Sequence, residues 1–213
     1  MTDAIDSALI LSEEELTVLL GIRKQQFVGY KISDDSLSID KRYMGINSLV
    51  RRKILYRDER EYHIADNYRC LIKTLINSNR YYVISGGNGI VYCADESALV
   101  RRIEAAPVRY SLNKVNVESL VKLFADEALI PEADEYGFLS KYIPSGEDLK
   151  KVLLEYENDS FSISEFGGKR RILVARIGLC MSCVKVEDNN ILCEVYSKQN
   201  FTKMLSDLIK GVG

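Results

Sequence analysis

The sequence predicts an α+β protein: two quasi-repeated helix–antiparallel sheet–helix halves behind an N-terminal helical segment. Three observations carry this. Amphipathic helical stretches alternate with runs of β-branched and aromatic residues, and the order helix, strands, helix occurs twice. The turns between the strand runs, Gly86-Gly87-Asn88-Gly89, Gly167-Gly168 and Asp188-Asn189-Asn190, are of hairpin length, which makes neighbouring strands antiparallel. A shift of 81 residues places Gly86-Gly87 on Gly167-Gly168, Asn116 on Ser197, Leu71 and Ile72 on Val152 and Leu153, and Leu120 and Phe124 on Phe201 and Leu205. A turn, a cap and two helical stripes in one register read as a duplicated unit of about 65 residues. Side-chain identity between the halves is low, so it is the pattern that repeats.

The elements follow in order. Ser12-Glu13-Glu14-Glu15 is a capping box that opens a helix with Leu16, Leu19 and Leu20 on one face and Gly21 as its stop. Phe27–Ile32 reads as a short strand and 33–40 as a polar loop. A second helix is expected over Ile46–Ile54, with Ile46, Leu49, Val50 and Ile54 inward and Arg51, Arg52 and Lys53 outward. Tyr56–Ile64 reads as a small hairpin with a charged tip. Asp66 is expected to cap a helix whose Tyr68, Leu71, Ile72, Leu75 and Ile76 fall at i, i+3, i+4, i+7 and i+8. These parts make up an N-terminal segment, 1–65, and the opening of the first half, 66–130.

Strands are expected at 80–85, 90–93, 98–103 and 108–112, followed by a helix capped by Asn116 with Val117, Leu120, Val121 and Phe124 on one face. Asp126–Pro144 is acidic, irregular and broken by Pro131 and Pro144, which makes it the internal boundary. The second half, 145–213, opens with a helix from Ser145. Strands follow near 160–164, 170–177, 180–186 and 191–196. Ser197 then caps a last helix bearing Phe201, Met204, Leu205, Leu208 and Ile209, ended by Gly211.

Composition narrows the function classes. The 213 residues are 46% hydrophobic and 28% charged, the balance of a globular chain. The net charge of −2 gives no global field that favours nucleic acid or anionic lipid. The first six residues carry two acids and no base, unlike a secretory or mitochondrial leader, and no apolar run reaches the ~18 residues of a membrane span. A cytosolic protein is the expectation. The single histidine, His63, removes every site that needs two.

No motif announces chemistry. Gly86-Gly87-Asn88-Gly89 lacks the Lys-Ser/Thr of a phosphate loop and lies between two strands. There is no G-x-S-x-G, and no carboxylate pair stands out from the solvated acids. Five scattered cysteines do not make a secreted disulfide framework. Cys180-Met181-Ser182-Cys183 lies in a strand run, whereas a redox C-x-x-C opens a helix, so these read as core cysteines. A zinc site would need two further ligands from Cys193, Cys93 or His63. No catalytic residue, metal or cofactor is therefore assigned. The tyrosines are the positive clue. Tyr81, Tyr82, Tyr92 and Phe166 lie on or beside the two Gly-Gly hairpins, where they would either pack the core or offer a partner-binding surface with Gly86, Gly87 and Asn88. A different reading takes 46–76 as the end of a winged helix-turn-helix. Arg51, Arg52, Lys53, Arg57 and Arg60 would then meet DNA, against the repulsion of Asp58, Glu59 and Glu61.

Several of these elements together resemble the EspG-like chaperones of type VII secretion systems, including their Firmicute relatives. They are the Ser12–Gly21 helix, the Gly45-Ile46-Asn47-Ser48-Leu49-Val50 helix ending at Ile54-Leu55, the 66–76 helix, and two rounds of antiparallel strands closed by the Asn116 and Ser197 helices. The chain departs from that pattern in Cys180-Met181-Ser182-Cys183 and in its short hairpins. The resemblance implies a cytosolic, quasi-two-fold, non-catalytic protein that binds the apolar tip of a helical-hairpin secretion substrate and keeps it from aggregating before export. Burial of such a tip stabilises a complex by roughly 25 cal/mol per Å² before association costs. By position, the resemblance places the partner-binding surface at the 85–89 turn and its flanking tyrosines.

Overall fold

The computed structural model describes residues 8–21, 30, 37–59, 61–85, 89–134, 160–177, 180–188 and 190–210. The strand expected at 27–32, apart from Tyr30, lies outside these residues, as do the Gly86–Asn88 turn, the helix expected from Ser145 and Gly211. Helices and antiparallel strands are mixed throughout, as an α+β chain requires. The chain divides into two compact units, Met1–Tyr81 with Gly87–Val115, and Tyr82–Gly86 with Asn116–Gly213. This differs from the division expected at 126–144.

In the first unit, β1 (Leu9–Ser12) runs into α1 (Glu13–Gly21). Ser12 ends the strand and caps the helix: its N–H donates to Glu15 Oε2 at 2.9 Å, and the Glu15 N–H donates to Ser12 Oγ at 3.2 Å. α2 (Ile39–Arg51) begins seven residues before the expected start, with Ser38 as N-cap. It also stops before Ile54. Lys53 turns left-handed (φ 58°), so that Lys53 N–H reaches Val50 O and Ile54 N–H reaches Leu49 O, closing a Schellman motif. Ile54 is buried through that motif and not as a helical residue. Gly45 lets α1 and α2 approach, since a Cβ there would lie 3.0 Å from both the Glu14 carbonyl oxygen and Val18 Cγ2.

β2 (Leu55–Asp58) and β3 (Glu61–Ile64) form the charged-tip hairpin. α3 (Asp66–Asn77) has Ala65 as its N-cap. Asp66 is the first helical residue and pairs with Arg69 at 2.7 Å instead of capping. β5 (Gly89–Cys93), β6 (Ser97–Ile103), β7 (Arg109–Val115) and β1 form an antiparallel ladder in the order β5-β6-β7-β1. Helices α1 and α3 cover it, around a core of Leu11, Leu16, Leu19, Leu49, Ile72, Tyr92, Val100 and Leu112.

The second unit orders the end of β4 (Arg80–Ile84), β8 (Phe161–Glu165), β9 (Arg170–Ile177), β10 (Cys180–Glu187) and β11 (Asn190–Val195) in that sequence, all antiparallel. α4 (Val117–Asp126) belongs here and not with the first sheet, because Phe124 packs on Phe161 (ring centroids 4.8 Å apart) and Phe201 (6.5 Å). Its Asn116–Ser119 capping box is reciprocal. α5 (Lys198–Lys210) buries Phe201, Met204, Leu205, Leu208 and Ile209, the stripe read from the sequence.

Four elements begin 81 residues before four others: β4 at 80 and β8 at 161, β5 at 89 and β9 at 170, β7 at 109 and β11 at 190, α4 at 117 and α5 at 198. The hairpins between them differ. Three residues separate β5 from β6 and two separate β9 from β10, so the pairing registers inside the hairpins are not the same.

Candidate functional site

The residues singled out from the sequence do not form one exposed surface. Tyr82 is fully buried and its hydroxyl donates to the Leu208 carbonyl at 2.6 Å. Tyr92 is also buried, and its hydroxyl is pushed far toward the neutral form by burial and by Tyr30, Tyr81 and Tyr110. Tyr81 is half-buried, edge-on to Tyr92 at 5.4 Å, with its hydroxyl on the Ser78 carbonyl at 2.6 Å. Tyr82 and Tyr92 are therefore core residues and Tyr81 packs on Tyr92; strand parity puts Tyr82 on the face of Ile84 and Tyr81 on the opposite one. Phe166, at the end of β8, does stand in solvent (53% exposed). Gly86, Gly87 and Asn88 lie outside the described residues.

Two cysteine thiols, Cys70 and Cys183, are held in the protonated form. Cys70 Sγ donates to Glu96 Oε2, and Lys114 Nζ donates to Glu96 Oε1 at 2.6 Å. The hydrogen bond to Glu96 holds the Cys70 thiol above its ordinary range, while Cys70 and Lys114 hold the Glu96 carboxyl below its own. The thiol is kept protonated, the opposite of an activated nucleophile. Cys183 lies in the core of the second unit, and burial pushes its thiol up to about 12. Its C-x-x-C sits on strand β10 and not at a helix start. His63 stacks on Tyr56, with centroids 5.4 Å apart. Among the described residues no group of three or more His, Cys, Asp or Glu is placed to hold a metal, and no helix is long and apolar enough to cross a membrane.

What the structure does bring together is an apolar stripe on α2. Of ten exposed large hydrophobic side chains among the described residues, six (Ile39, Tyr43, Met44, Val50, Tyr56 and Tyr62) fall between residues 39 and 62. Ile39, Tyr43, Ile46 and Val50 recur at i, i+4, i+7 and i+11, one line along a helix. Ile39 is 72% exposed, Ile46 is half-buried, and the face bearing Gly45 and Leu49 is the one that meets α1. Val50, expected inward, is thus an outward residue.

The platform under this stripe is fixed. Glu15, almost fully buried, accepts from Ser48 Oγ at 2.7 Å and from Arg52 Nη1 at 2.7 Å, and Arg52 Nη2 also donates to the Ile10 carbonyl at 2.7 Å. Burial acts to raise the Glu15 pKa, but the Ser12 amide, Ser48 and Arg52 together outweigh it and hold the carboxyl below its ordinary value. The stripe is not seen from the sequence because the polar loop assigned to 33–40 takes in Ile39 and the expected helix starts only at Ile46. Ser38 followed by apolar residues at 4-3-4 spacing was the signal that would have found it.

No protein-family model matches the chain, and no curated protein matches its sequence.

Proposed function

We propose that the protein is a non-catalytic, cytoplasmic adaptor that binds a helical partner, of the kind the resemblance to type VII secretion chaperones implies. The observation that carries this reading is the Ile39–Tyr43–Ile46–Val50 line, exposed at Ile39, Tyr43 and Val50 and half-buried at Ile46. A 4-3-4 apolar spacing is what an amphipathic helix packs against, ridge into groove. The occupant is therefore an apolar helix of a secreted helical hairpin. The stripe is anchored by the Glu15–Ser48–Arg52 network, which supplies a rigid base for docking.

The test is co-expression with a helical-hairpin protein encoded beside it. The wild-type chain is expected to co-purify with that partner. An Ile39→Asp, Tyr43→Asp double variant is expected to lose it while keeping an unchanged melting temperature. A wild-type chain that retains no partner, or a double variant that retains it, refutes the reading.

The same reading takes the architecture to be a duplicated unit. Its support is the 81-residue offset of four element starts and the pairing of β4 with β8 about Val83 and Ser164. A second function, DNA contact, is favoured by one arrangement: α2 runs straight into the β2–β3 hairpin with Arg51 and Lys53 exposed on the way. Asp58, Glu59 and Glu61 on that hairpin oppose it, and Arg52 is committed to Glu15. Salt-dependent retention on random duplex DNA would favour this second reading; salt-independent partner capture favours the first.

A further inference from the structure

The two strands that begin at 109 and 190 occupy corresponding places, each between its hairpin partner and a capped helix, yet they are finished differently. β7 is flanked on both sides: β6 pairs along one edge and β1 along the other, with Leu9 opposite Leu112, Ile10 opposite Ser111, Leu11 opposite Tyr110 and Ser12 opposite Arg109. Under that cover Tyr110 and Leu112 are buried. Among the described residues β11 pairs with β10 alone, and no strand runs along its other edge. Its corresponding residues, Ile191 and Cys193, are only half-buried, and Leu192 is 49% exposed. An open edge is normally blunted by lysine, proline or a bulge. β11, Asn190-Ile191-Leu192-Cys193-Glu194-Val195, carries no lysine and no proline, its one charge is Glu194, and it pairs with β10 in unbroken register.

We propose that β11 is a strand-addition site. It accepts, antiparallel, an extended segment of another polypeptide that does for the second unit what β1 does for the first. The occupant's chemistry follows from the β1–β7 template. Apolar residues two apart lie opposite Ile191 and Cys193, as Leu11 and Leu9 lie opposite Tyr110 and Leu112, and a basic residue immediately before them in the occupant's sequence lies opposite Glu194. The site rests on the correspondence of β7 and β11 and not on the helix-binding stripe of α2, so either can fail without the other.

The chain's own β1–α1 segment is the natural probe. A synthetic peptide of residues 8–21 with Ala8→Lys is added to the full-length protein, and amide exchange is read along the chain. The expected result is exchange slowed about ten-fold or more in 190–195. A peptide carrying Leu9→Cys is expected to form a mixed disulfide with Cys193 under mild oxidation, lost in Cys193→Ser, whereas an Ile10→Cys peptide does not. The inference is overturned if 190–195 gains no protection, if protection appears along β7 instead, or if the chain alone protects 190–195 as its concentration rises, which would make a second copy the occupant.

Discussion

Val83 and Ser164 lie directly opposite each other across the β4–β8 ladder, and they are 81 positions apart, the interval that separates the element starts. The flanking pairs are Tyr82 with Glu165 and Ile84 with Ile163. Moving each residue by 81 turns one of these pairs into the other. β4 and β8 thus pair antiparallel about Val83 and Ser164. A Val83→Cys, Ser164→Cys double variant is expected to oxidise readily, because directly opposed antiparallel residues have Cα atoms about 4.5–5.5 Å apart, within disulfide range. Both positions lie off the buried face. Closing so long a loop is expected to add about 2–4 kcal/mol, read as a melting temperature that falls when reductant is added. Free thiols persisting under oxidant would contradict the register.

Glu15 makes stability depend on acid. Its folded carboxyl titrates below the ordinary 4.5. Near that pH the unfolded chain binds more protons than the folded one. The contribution is therefore complete above about pH 4.5 and disappears as pH falls through the lower folded value. Glu15→Gln keeps the shape but puts an NH2 in place of one oxygen, so it faces either Ser48 Oγ or the Ser12 N–H and Arg52 donors, and the negative charge beside Arg52 is lost. The expected cost at neutral pH is about 2 kcal/mol, since Arg52 is partly solvated. Urea titrations at pH 7 and pH 3.5 check both points: the gap between wild type and variant should narrow in acid.

How much of this was legible depends on which physical signal decides each element. α4 and α5 are fixed by 3.6-residue periodicity plus a cap, and Asn116, Ser197 and their stripes appear where the sequence puts them. β1 was not legible. Four residues before a capping box have no intrinsic reason to be a strand, and it is pairing with β7 that makes them one. The start of α2 was hidden because Ile39, Tyr43 and Met44 point to solvent, so the usual inward stripe is absent there. Of the two readings open for the tyrosines, parity decides Tyr82: adjacent strand residues face opposite ways, and Tyr82 shares the buried face of Ile84. The allocation of α4 to the second unit rests on Phe124 meeting Phe161 and Phe201, contacts across tens of residues that no local pattern encodes.

Gly89 tests the close approach of β5 to β6. Its φ of +134° is a conformation that side chains disfavour, and a Cβ there would stand 2.6 Å from the Val100 carbonyl oxygen. That oxygen belongs to backbone paired with Ile90 and accepts the Tyr30 hydroxyl at 3.0 Å, so it cannot simply move aside. Gly89→Ala is expected to destabilise by more than about 2 kcal/mol, from overpacking and backbone strain acting together. A denaturation midpoint within error of wild type would show that the strand pair tolerates the shift.

Tyr82 separates a core role from a binding role. The ring is fully buried and its hydroxyl satisfies the Leu208 carbonyl in the last turn of α5, one of the helix-end acceptors with no intrahelical donor. Tyr82→Phe removes that donor and leaves the ring in place, so it should cost about 1 kcal/mol with no change in partner capture. Tyr82→Asp buries a carboxylate where an aromatic ring was, and should leave little folded protein at all. The two variants are compared by melting temperature and by retention of the helical partner. If Tyr82 itself contacted the partner, Tyr82→Phe would weaken capture while the fold stayed intact, and the hydroxyl would have to leave Leu208 to do so.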